Sequence, residues 1–340
     1  MSQIASALTL QVAEIAALTA RVGRRVDAAS LGVLDRVGHL PLNPPGLISP
    51  NGACRLFRAA DGWMAANLAR DEDRELIPAW LGCDFGLDPW AAIAAHAGGH
   101  TTVALVAGAD LLGLPACAVG EVTASGLEAP RLRLGSGGAR SGALKVVDLS
   151  ALWAGPLCGA ILAAMGGEVT KVESPRRLDP TRTSTPAFFR SLNGAKHHLQ
   201  LDLSAPDGQA RLRDAILAAD VLITSARPRA FPGLGLVPAD LFAANPGLVW
   251  VAITGYGWTG AAASRVAFGD DAAAAGGLVR WTPGGEPRFL GDALADPVTG
   301  LAAALGALKG LEAGGGVLVD VALARAAAGA AHVCRFGRAA

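Results

Sequence analysis

The stretch VVDLSALWAGPLCGAILAAMGGEVTKVESP, residues 146–175, decides the fold of the chain. It opens within a short β-branched apolar run, residues 144–149, which predicts a strand. After a Gly-Pro turn, residues 157–165 place apolar side chains at helical spacing, and EVTKVE at 168–173 predicts a second strand. The order strand, helix, strand is typical of a parallel βαβ unit with a right-handed crossover.

The same alternation continues toward the C-terminus. Helices are predicted at residues 206–219 and 238–244, and strands at residues 220–224, 248–254 and 317–321. The run LVWVAIT at 248–254 is apolar throughout, as is typical of a strand buried on both faces. We therefore predict the α/β fold class, with a large domain built on a mostly parallel, Rossmann-like sheet flanked by helices.

The first part of the chain has a different pattern. It predicts a helix at 3–21, two strands around an Asp-Gly hairpin turn at 60–62, helices at 71–80 and 89–96, and a closing strand at 114–119. These elements form a smaller α+β domain. Between the two parts, LEAPRLRLGSGGARSGA carries a Gly/Ser run without a period, which is typical of a linker. The predicted domains are therefore residues 1–126 and 144–340, joined by a linker at 127–143.

Composition narrows the classes of partner. The 340 residues include 29 Lys plus Arg and 29 Asp plus Glu, so the formal net charge is zero. A neutral chain lacks the field that gathers polyanions, and we expect neither a nucleic-acid nor a membrane partner. The sequence also has no apolar run of about 20 residues and no leader pattern at its start, which predicts a cytoplasmic protein. Five scattered cysteines without a Cys-x-x-Cys pair predict neither a disulfide framework nor a metal site.

Several blocks in the second part follow one another in a known order. They are residues 146–175, NGAKHHLQLDLSAPDG at 193–208, ITGYGWTG at 253–260 and GDALADPVTGLAAALGAL at 291–308. Together they resemble the class III CoA-transferases, which include formyl-CoA and carnitine CoA-transferases and, as cousins, the α-methylacyl-CoA racemases. The resemblance implies an enzyme that moves CoA from an acyl-CoA thioester to a carboxylic acid, with CoA bound as the acyl-CoA substrate.

The first part resembles the same family in an unexpected place. Residues 54–82 and 111–119 look like the small domain that usually follows the large one, so the order is rearranged in this chain. A circular permutation and the trailing part of a tandem ancestor both remain open. Because family members form interlinked homodimers, the resemblance implies a homodimer, with a heteromer containing a full-length homologue as the alternative.

The resemblance assigns the nucleophile to Asp296, which precedes Gly300 and Gly306 at the spacing of the family motif. Its carboxylate would attack the thioester to form a mixed anhydride, and the released CoA thiolate would then form an aspartyl-CoA thioester. Asp296 before Pro297 is also a helix N-cap pattern, and the two roles are compatible. Asp292 is the alternative nucleophile.

Asp271 matches an acidic position of the family and is the second catalytic candidate. It would orient substrate or shift the pKa of the nucleophile, and a carboxylate at a helix N-terminus is the alternative. Asp270 stands where the racemase branch has a histidine, which disfavours racemase activity. Two alternatives stay open: an acyl-CoA racemase or isomerase that uses Asp271 and Asp296 as a proton-transfer pair, and a non-catalytic acyl-CoA-binding subunit.

The remaining site residues are those that the resemblance places on CoA. They are Trp153, Gly155, Pro156, Lys171, Arg176, Lys196 and Arg227. The cations would hold the CoA phosphates, and the Gly-Pro turn would let the thioester approach the backbone. Arg227 lies in SARPRAF, where Ser225 and Ala226 replace the family's Asn and Phe and remove an adenine-side contact. Trp153 replaces a Gln near the acyl group, which favours a bulkier or more apolar acyl chain.

Overall fold

The computed structural model describes residues 4–138, 140 and 142–334. Three parts of the sequence predictions lie outside the described residues. They are residues 1–3 of the first predicted domain, which include the first residue of the predicted helix at 3–21, positions 139 and 141 of the predicted linker, and residues 335–340 of the second predicted domain. The strands are β1 (Cys54–Arg58), β2 (Trp63–Asn67), β3 (Ala116–Ala118), β4 (Arg131–Arg133), β5 (Lys145–Leu149), β6 (Glu168–Glu173), β7 (His197–Gln200), β8 (Val221–Thr224), β9 (Val249–Thr254), β10 (Val279–Trp281), β11 (Pro287–Phe289) and β12 (Val317–Ala322).

Helices connect the strands and cover the sheets. They are α1 (Ala5–Val22), α2 (Asp71–Glu75), α3 (Ile77–Leu81), α4 (Pro89–Ala97), α5 (Thr102–Leu111), α6 (Ala154–Ala164), α7 (Thr181–Ser184), α8 (Pro186–Asn193), α9 (Pro206–Leu217), α10 (Pro238–Ala244), α11 (Gly269–Ala275), α12 (Ala295–Glu312) and α13 (Leu323–Val333).

The main sheet has seven strands in the order β4-β12-β9-β8-β5-β6-β7. All pairs are parallel except β4 with β12, which are antiparallel. This confirms the predicted α/β fold with a mostly parallel sheet. From β5 the chain builds the sheet in one direction through β6 and β7, and then in the other through β8, β9 and β12. In open parallel sheets, ligands bind outside the carboxyl ends of the strands where the direction reverses, here between β5 and β8.

Helix α12 is the centre of the core and packs on α6, α1 and β12. Its small residues allow this close approach: a Cβ added at Gly300 would lie 2.6 Å from Leu157 Cδ2, and one at Gly306 would lie 2.5 Å from Val319 Cγ1. The alanine and glycine richness of this stretch is therefore a packing requirement, because larger side chains would separate α12 from its neighbours.

The smaller unit contains an antiparallel sheet in the order β1-β2-β3. Arg58 pairs with Trp63 at the end of the predicted hairpin, which confirms the turn at 60–62. Helix α5 was not predicted, and it packs against β3. Leu105 and Ala109 turn the buried side of α5 toward this sheet.

Two segments pack differently from the predicted domain division. Helix α1, within the predicted small domain, packs on α12, and Gln11 Nε2 donates a hydrogen bond to Val298 O at 3.2 Å. Strand β4, within the predicted linker, extends the main sheet by pairing with β12. The sequence of an amphipathic helix or of a short exposed strand does not indicate which core the element packs on. The predicted boundaries follow changes in composition along the chain, whereas α1 and β4 pack against α12 and β12 in the second part.

Within the described ranges, no helix combines the length and apolar character needed to cross a bilayer. Over the same residues, the His, Cys, Asp and Glu side chains form no cluster of three or more with an arrangement that holds a metal ion.

Candidate active site

The loops after β5 and β8 meet at the reversal point of the sheet. Ala151 N donates to Ser225 Oγ at 2.9 Å, and Leu152 N donates to Asp179 Oδ2 at 3.2 Å. Leu152 adopts a left-handed backbone conformation with φ 68°. A left-handed leucine costs conformational energy, and such strain is concentrated at functional sites. The Ser225 that replaces the family's Asn therefore has a structural contact of its own, since it ties the two loops together.

Asp296 is the second residue of α12. The N-cap of this helix is Leu294, so the structure does not place the carboxylate in the capping position that the Asp-Pro pattern allowed. The carboxylate instead lies beside the backbone N–H of Ala154, the first residue of α6, which acts to lower its pKa. It also lies against α11, because a Cβ added at Gly269 would be 2.1 Å from Asp296 Oδ2. Glycine at that position makes room for the carboxylate.

The groups around Asp296 shift the pKa of its carboxyl toward neutral pH. Its pKa is raised to about 7: burial raises it most, the nearby Arg36 lowers it, and the carboxylates of Asp270 and Asp292 raise it. The residue nevertheless keeps partial solvent exposure. A carboxyl group that is reachable from solvent and titrates near pH 7 is typical of a group with a chemical role.

The carboxylate oxygens of Asp292, the alternative nucleophile, are hydrogen-bonded to other side chains. Arg36 Nε and Nη2 donate to Asp292 Oδ2 and Oδ1, both at 2.7 Å. Asn51 Nδ2 donates to Asp292 Oδ1 at 2.7 Å and to Asp270 Oδ2 at 2.7 Å, while Asn51 Oδ1 accepts from Ala53 N at 2.8 Å. Both oxygens of Asp292 are thus used inside the protein. Neither Arg36 nor Asn51 was found by sequence reasoning, because both belong to a segment without a periodic pattern or a family block.

Asp270 supports the turn that precedes α12. Its Oδ1 accepts from Ala293 N at 2.7 Å, and Ala293 is left-handed with φ 46°. Burial, together with the charge of Asp292, raises the Asp270 pKa to about 6. With Oδ2 bonded to Asn51, both of its oxygens are engaged, so Asp270 holds the strained turn that carries the nucleophile candidate.

Asp271 faces the smaller sheet. It is fully buried and accepts from Asn67 Nδ2 at 2.8 Å and from Phe268 N at 3.0 Å. Burial raises its pKa to about 7. The structure therefore shows the helix N-terminal arrangement for Asp271, and its side chain joins α11 to β2. Asp271 lies next to Asp270 in the first turn of α11, but its side chain is not exposed to solvent.

Three predicted CoA-contacting residues lie at the start of α6. Trp153 is buried, donates from Nε1 to Val33 O at 2.9 Å and packs edge-on against Phe188 at 5.1 Å. A Cβ added at Gly155 would lie 2.2 Å from Ser150 Cβ. Pro156 is also buried. These residues shape the first turn of α6, whose backbone faces Asp296.

The two predicted lysines are used in the interior. Lys171 is fully buried, pairs with Asp179 at 3.2 Å and donates to Ser150 O at 2.8 Å. Lys196 Nζ pairs with Asp148 at 2.7 Å and donates to Pro156 O at 2.9 Å. Both ammonium groups are therefore withdrawn from the surface, and their placement gives no support to the expected phosphate contacts. A basic residue inside a family block carries no sequence signal that separates a buried ion pair from a ligand contact.

Arginines gather beside the loop after β8. Arg227 is half-buried, and its pKa is lowered by burial and by the like charges of Arg229, Arg70 and Arg177. We call Arg70, Arg177, Arg227 and Arg229 the arginine cluster. Arg70 comes from the smaller unit and gave no sequence signal. Like charges held together in this way are typical of an anion-binding surface.

Arg176 differs from its neighbour Arg177. Its side chain is 72% exposed and pairs with Asp202 at 3.3 Å. Arg176 therefore pairs with an aspartate at the surface, whereas Arg227 belongs to the arginine cluster.

Comparisons with known proteins agree with the sequence blocks. The model of CoA-transferase family III matches residues 142–333. The succinyl-CoA–D-citramalate CoA-transferase of Chloroflexus aurantiacus is 33% identical over 193 residues, which cover 53% of this chain and 48% of that protein. The succinate–glutarate CoA-transferase of Agrobacterium fabrum is 32% identical over 199 residues, covering 53% and 50%. The chain spans about half the length of the curated relatives it matches.

Solved structures give the same result. A CAIB/BAIF family protein from Brucella suis has a TM-score of 0.51 and 33% identity, covering 55% of this chain and 54% of that chain. A hypothetical protein from Mycobacterium tuberculosis has a TM-score of 0.51 and 32% identity, covering 55% and 56%. The family resemblance read from the sequence blocks is confirmed. The family model covers more than half of the chain, and the protein belongs to CoA-transferase family III.

Proposed function

We propose that the chain transfers CoA from an acyl-CoA thioester to a free carboxylic acid, with Asp296 as the nucleophile. The observation that carries this proposal is the placement of the Asp296 carboxyl, which keeps partial solvent exposure and lies against the first turn of an eleven-residue helix, with a pKa raised by burial to about 7. Backbone N–H groups at such a turn stabilise negative charge. Family membership supports the same chemistry.

The proposed reaction has two matched halves. An Asp296 oxygen attacks the thioester carbonyl carbon, the C–S bond breaks, and CoA leaves as thiolate while a mixed anhydride forms. The thiolate attacks the Asp296 carbonyl carbon, which releases the donor acid and leaves an aspartyl-CoA thioester. The acceptor carboxylate attacks this thioester and displaces the thiolate again. The thiolate then attacks the acceptor's acyl carbon, which forms the new acyl-CoA and returns the Asp296 carboxylate.

The arginine cluster is the proposed seat of the CoA phosphates. It follows the carboxyl ends of β6 and β8, beside the reversal point where a ligand binds in this sheet architecture. From there the pantetheine arm would run toward the first turn of α6 and Asp296. Arg70 comes from the smaller unit, but its guanidinium is bonded to Asp73 and to Gly113 O, so the phosphates would be held mainly by Arg177, Arg227 and Arg229. Arginine suits this task because its planar donors match phosphate oxygens.

The relatives guide the choice of substrates. Six curated relatives carry succinyl-CoA or succinate in their names, and we propose a succinyl-type thioester as the first donor to test. Two of these names denote alpha and beta subunits of one transferase. We propose a homodimer for this chain, with a heteromer as the alternative. Sedimentation of the purified chain, alone and with a full-length homologue, distinguishes them.

Trapping the covalent intermediate tests the proposal. Wild type and Asp296→Asn are incubated with succinyl-CoA and other acyl-CoAs, and intact-protein and peptide masses are measured. We expect a CoA adduct on the peptide that contains Asp296, released by hydroxylamine and absent from Asp296→Asn.

Asp292→Asn is the matched control, because it changes a neighbouring carboxylate that is already bound by Arg36 and Asn51. It should retain the adduct on Asp296. An adduct that disappears in Asp292→Asn and persists in Asp296→Asn would assign the nucleophile to Asp292. CoA binding without any adduct would overturn the covalent reaction and favour an acyl-CoA-binding subunit.

A further inference from the structure

The segment before β1 brings a fixed positive charge to the candidate active site. Arg36 is held by two hydrogen bonds to Asp292, and its guanidinium carbon lies 5.1 Å from the centre of the Trp153 ring. Trp153 is itself tied to Val33 O, three residues before Arg36. A bidentate ion pair on an aromatic face leaves the guanidinium little freedom to turn. Arg36 is therefore a fixed charge and not a mobile ligand-binding arm.

Asn51 fixes the other side of this ion pair. Its Oδ1 accepts from Ala53 N, which orients the amide so that Nδ2 donates to both Asp292 and Asp270. An amide in the opposite orientation would place its oxygen against two carboxylates. The positions of Arg36, Asp292 and Asp270 are thus set together by residues from the two ends of the chain.

The charges around Asp296 are unbalanced. Asp292 lies in the turn four residues before Asp296, and Asp270 on α11 bonds Ala293 N in the same turn. Asp296 Oδ2 and Ala293 Cβ both lie close to Gly269, next to Asp270, and Arg36 is bonded to Asp292. Asp292 and Asp270 disfavour ionisation of Asp296 by like-charge repulsion, and Arg36 opposes them. A protonated carboxyl does not attack a thioester, so the balance of these charges decides whether the nucleophile exists at neutral pH.

We propose that Arg36 is a positioning residue whose guanidinium, fixed by Asp292, Asn51 and Trp153, keeps the Asp296 carboxyl ionised. This inference rests on the proposed function, because it takes Asp296 to be the nucleophile. The proposal also gives the segment before β1 a role. This segment contributes the charge of Arg36 to the turn that contains Asp292, which lies 256 positions further along the chain.

The test compares variants that change the charges in opposite directions. Asp292→Asn removes a negative charge and keeps Arg36, so the acidic limb of the kcat/KM profile should move to lower pH. Arg36→Met combined with Asp292→Asn removes the cation without leaving Asp292 unpaired. Relative to Asp292→Asn, its acidic limb should move upward by about one pH unit or more. Arg36→Lys in the wild-type background should keep the limb near its original position, because the charge is retained.

A direct titration separates this inference from the proposed function. Aspartate labelled with carbon-13 at its side-chain carboxyl reports the ionisation of Asp296 by NMR, and the Asp296→Asn spectrum identifies its signal. The midpoint should shift in the same directions as the kinetic limb. If the wild type forms no CoA adduct but this midpoint shifts, the transferase proposal fails while the electrostatic role of Arg36 stands. Equal midpoints in Asp292→Asn and the double variant, with both folded by circular dichroism, would overturn the role of Arg36.

Discussion

At the scale of single residues, Asp271 links ionisation to stability. Its pKa in the folded protein is raised by burial to about 7, above its value in an unfolded chain. The folded state therefore holds a proton that the unfolded state releases, and stability falls as pH rises from about 4 toward 7. Each unit of pKa difference corresponds to about 1.4 kcal/mol of unfolding free energy. Above pH 7 this contribution is lost.

Asp271→Asn should flatten that pH dependence. The amide is neutral at every pH and still offers an oxygen to Asn67 Nδ2, which now bonds Asp271 Oδ1. Urea unfolding of wild type and variant between pH 5 and 8 measures the difference, and the variant should gain stability relative to wild type as pH rises. Parallel curves over this range would show that Asp271 stays ionised in the folded protein.

At this scale, ordered sequence blocks point to candidate site residues but do not indicate which of their side chains are buried. Asp296 stands in such a block and Arg227 in a separate segment similar to the family; the structure places Asp296, half-buried, in the first turn of α12 and Arg227 in the arginine cluster. Lys171 stands in a block too, yet its ammonium is buried beside Asp179. Arg36 stands in none, and its partner lies 256 positions away. The local spacing of residues in the sequence predicts neither the burial of a lysine nor a contact between positions so far apart.

At the scale of secondary structure, the close packing of α12 on α6 positions the nucleophile candidate. A Cβ added at Gly300 would lie 2.6 Å from Leu157 Cδ2 and 2.8 Å from Ala154 O. Ala154 O is backbone and cannot rotate away, and the N–H of the same residue faces the Asp296 carboxylate. Gly300→Ala should therefore cost about 1–3 kcal/mol of stability and lower activity, because it displaces the first turns of both helices.

Thermal unfolding and the rate of CoA transfer measure these two effects. Gly98→Ala is the matched control, since Gly98 has φ −63° and a Cβ there meets nothing within 4 Å. The control should leave stability and activity near those of the wild type. A Gly300→Ala protein with unchanged stability would mean that the two helices adjust without strain.

The predicted helices and strands are present, but β4, β10, β11, α7, α8 and α13 were not predicted. β6 and α10 have the predicted bounds, because apolar periodicity and Pro at the helix start mark them clearly. β7 was not predicted, since His197–Gln200 is polar and lies at the sheet edge, where burial imposes no apolar pattern. The docking of α1 on α12 was also missed, as a helix pattern predicts a buried face but not its partner.

At the scale of the whole molecule, one apolar core joins the first part of the chain to the second. Residues of α1, of the smaller sheet and of the main sheet belong to the same buried cluster, among them Ile15, Cys54, Leu56, Val251 and Leu301. We therefore expect a single cooperative unfolding transition in spite of the two-part sequence. Far-ultraviolet circular dichroism and tryptophan fluorescence should give coincident urea curves. Two separated transitions would show that the smaller unit unfolds independently.

The ion pair between Arg36 and Asp292 also bears on how this protein can change over evolutionary time. Loss of Arg36 alone leaves the Asp292 carboxylate largely buried without its counterion, which costs stability, whereas loss of Asp292 alone leaves Arg36 facing Asp296 and Asp270. Exchange of both partners together avoids that intermediate penalty. The two positions are therefore epistatic, and homologues that retain this architecture should vary at them in concert although 256 positions separate them.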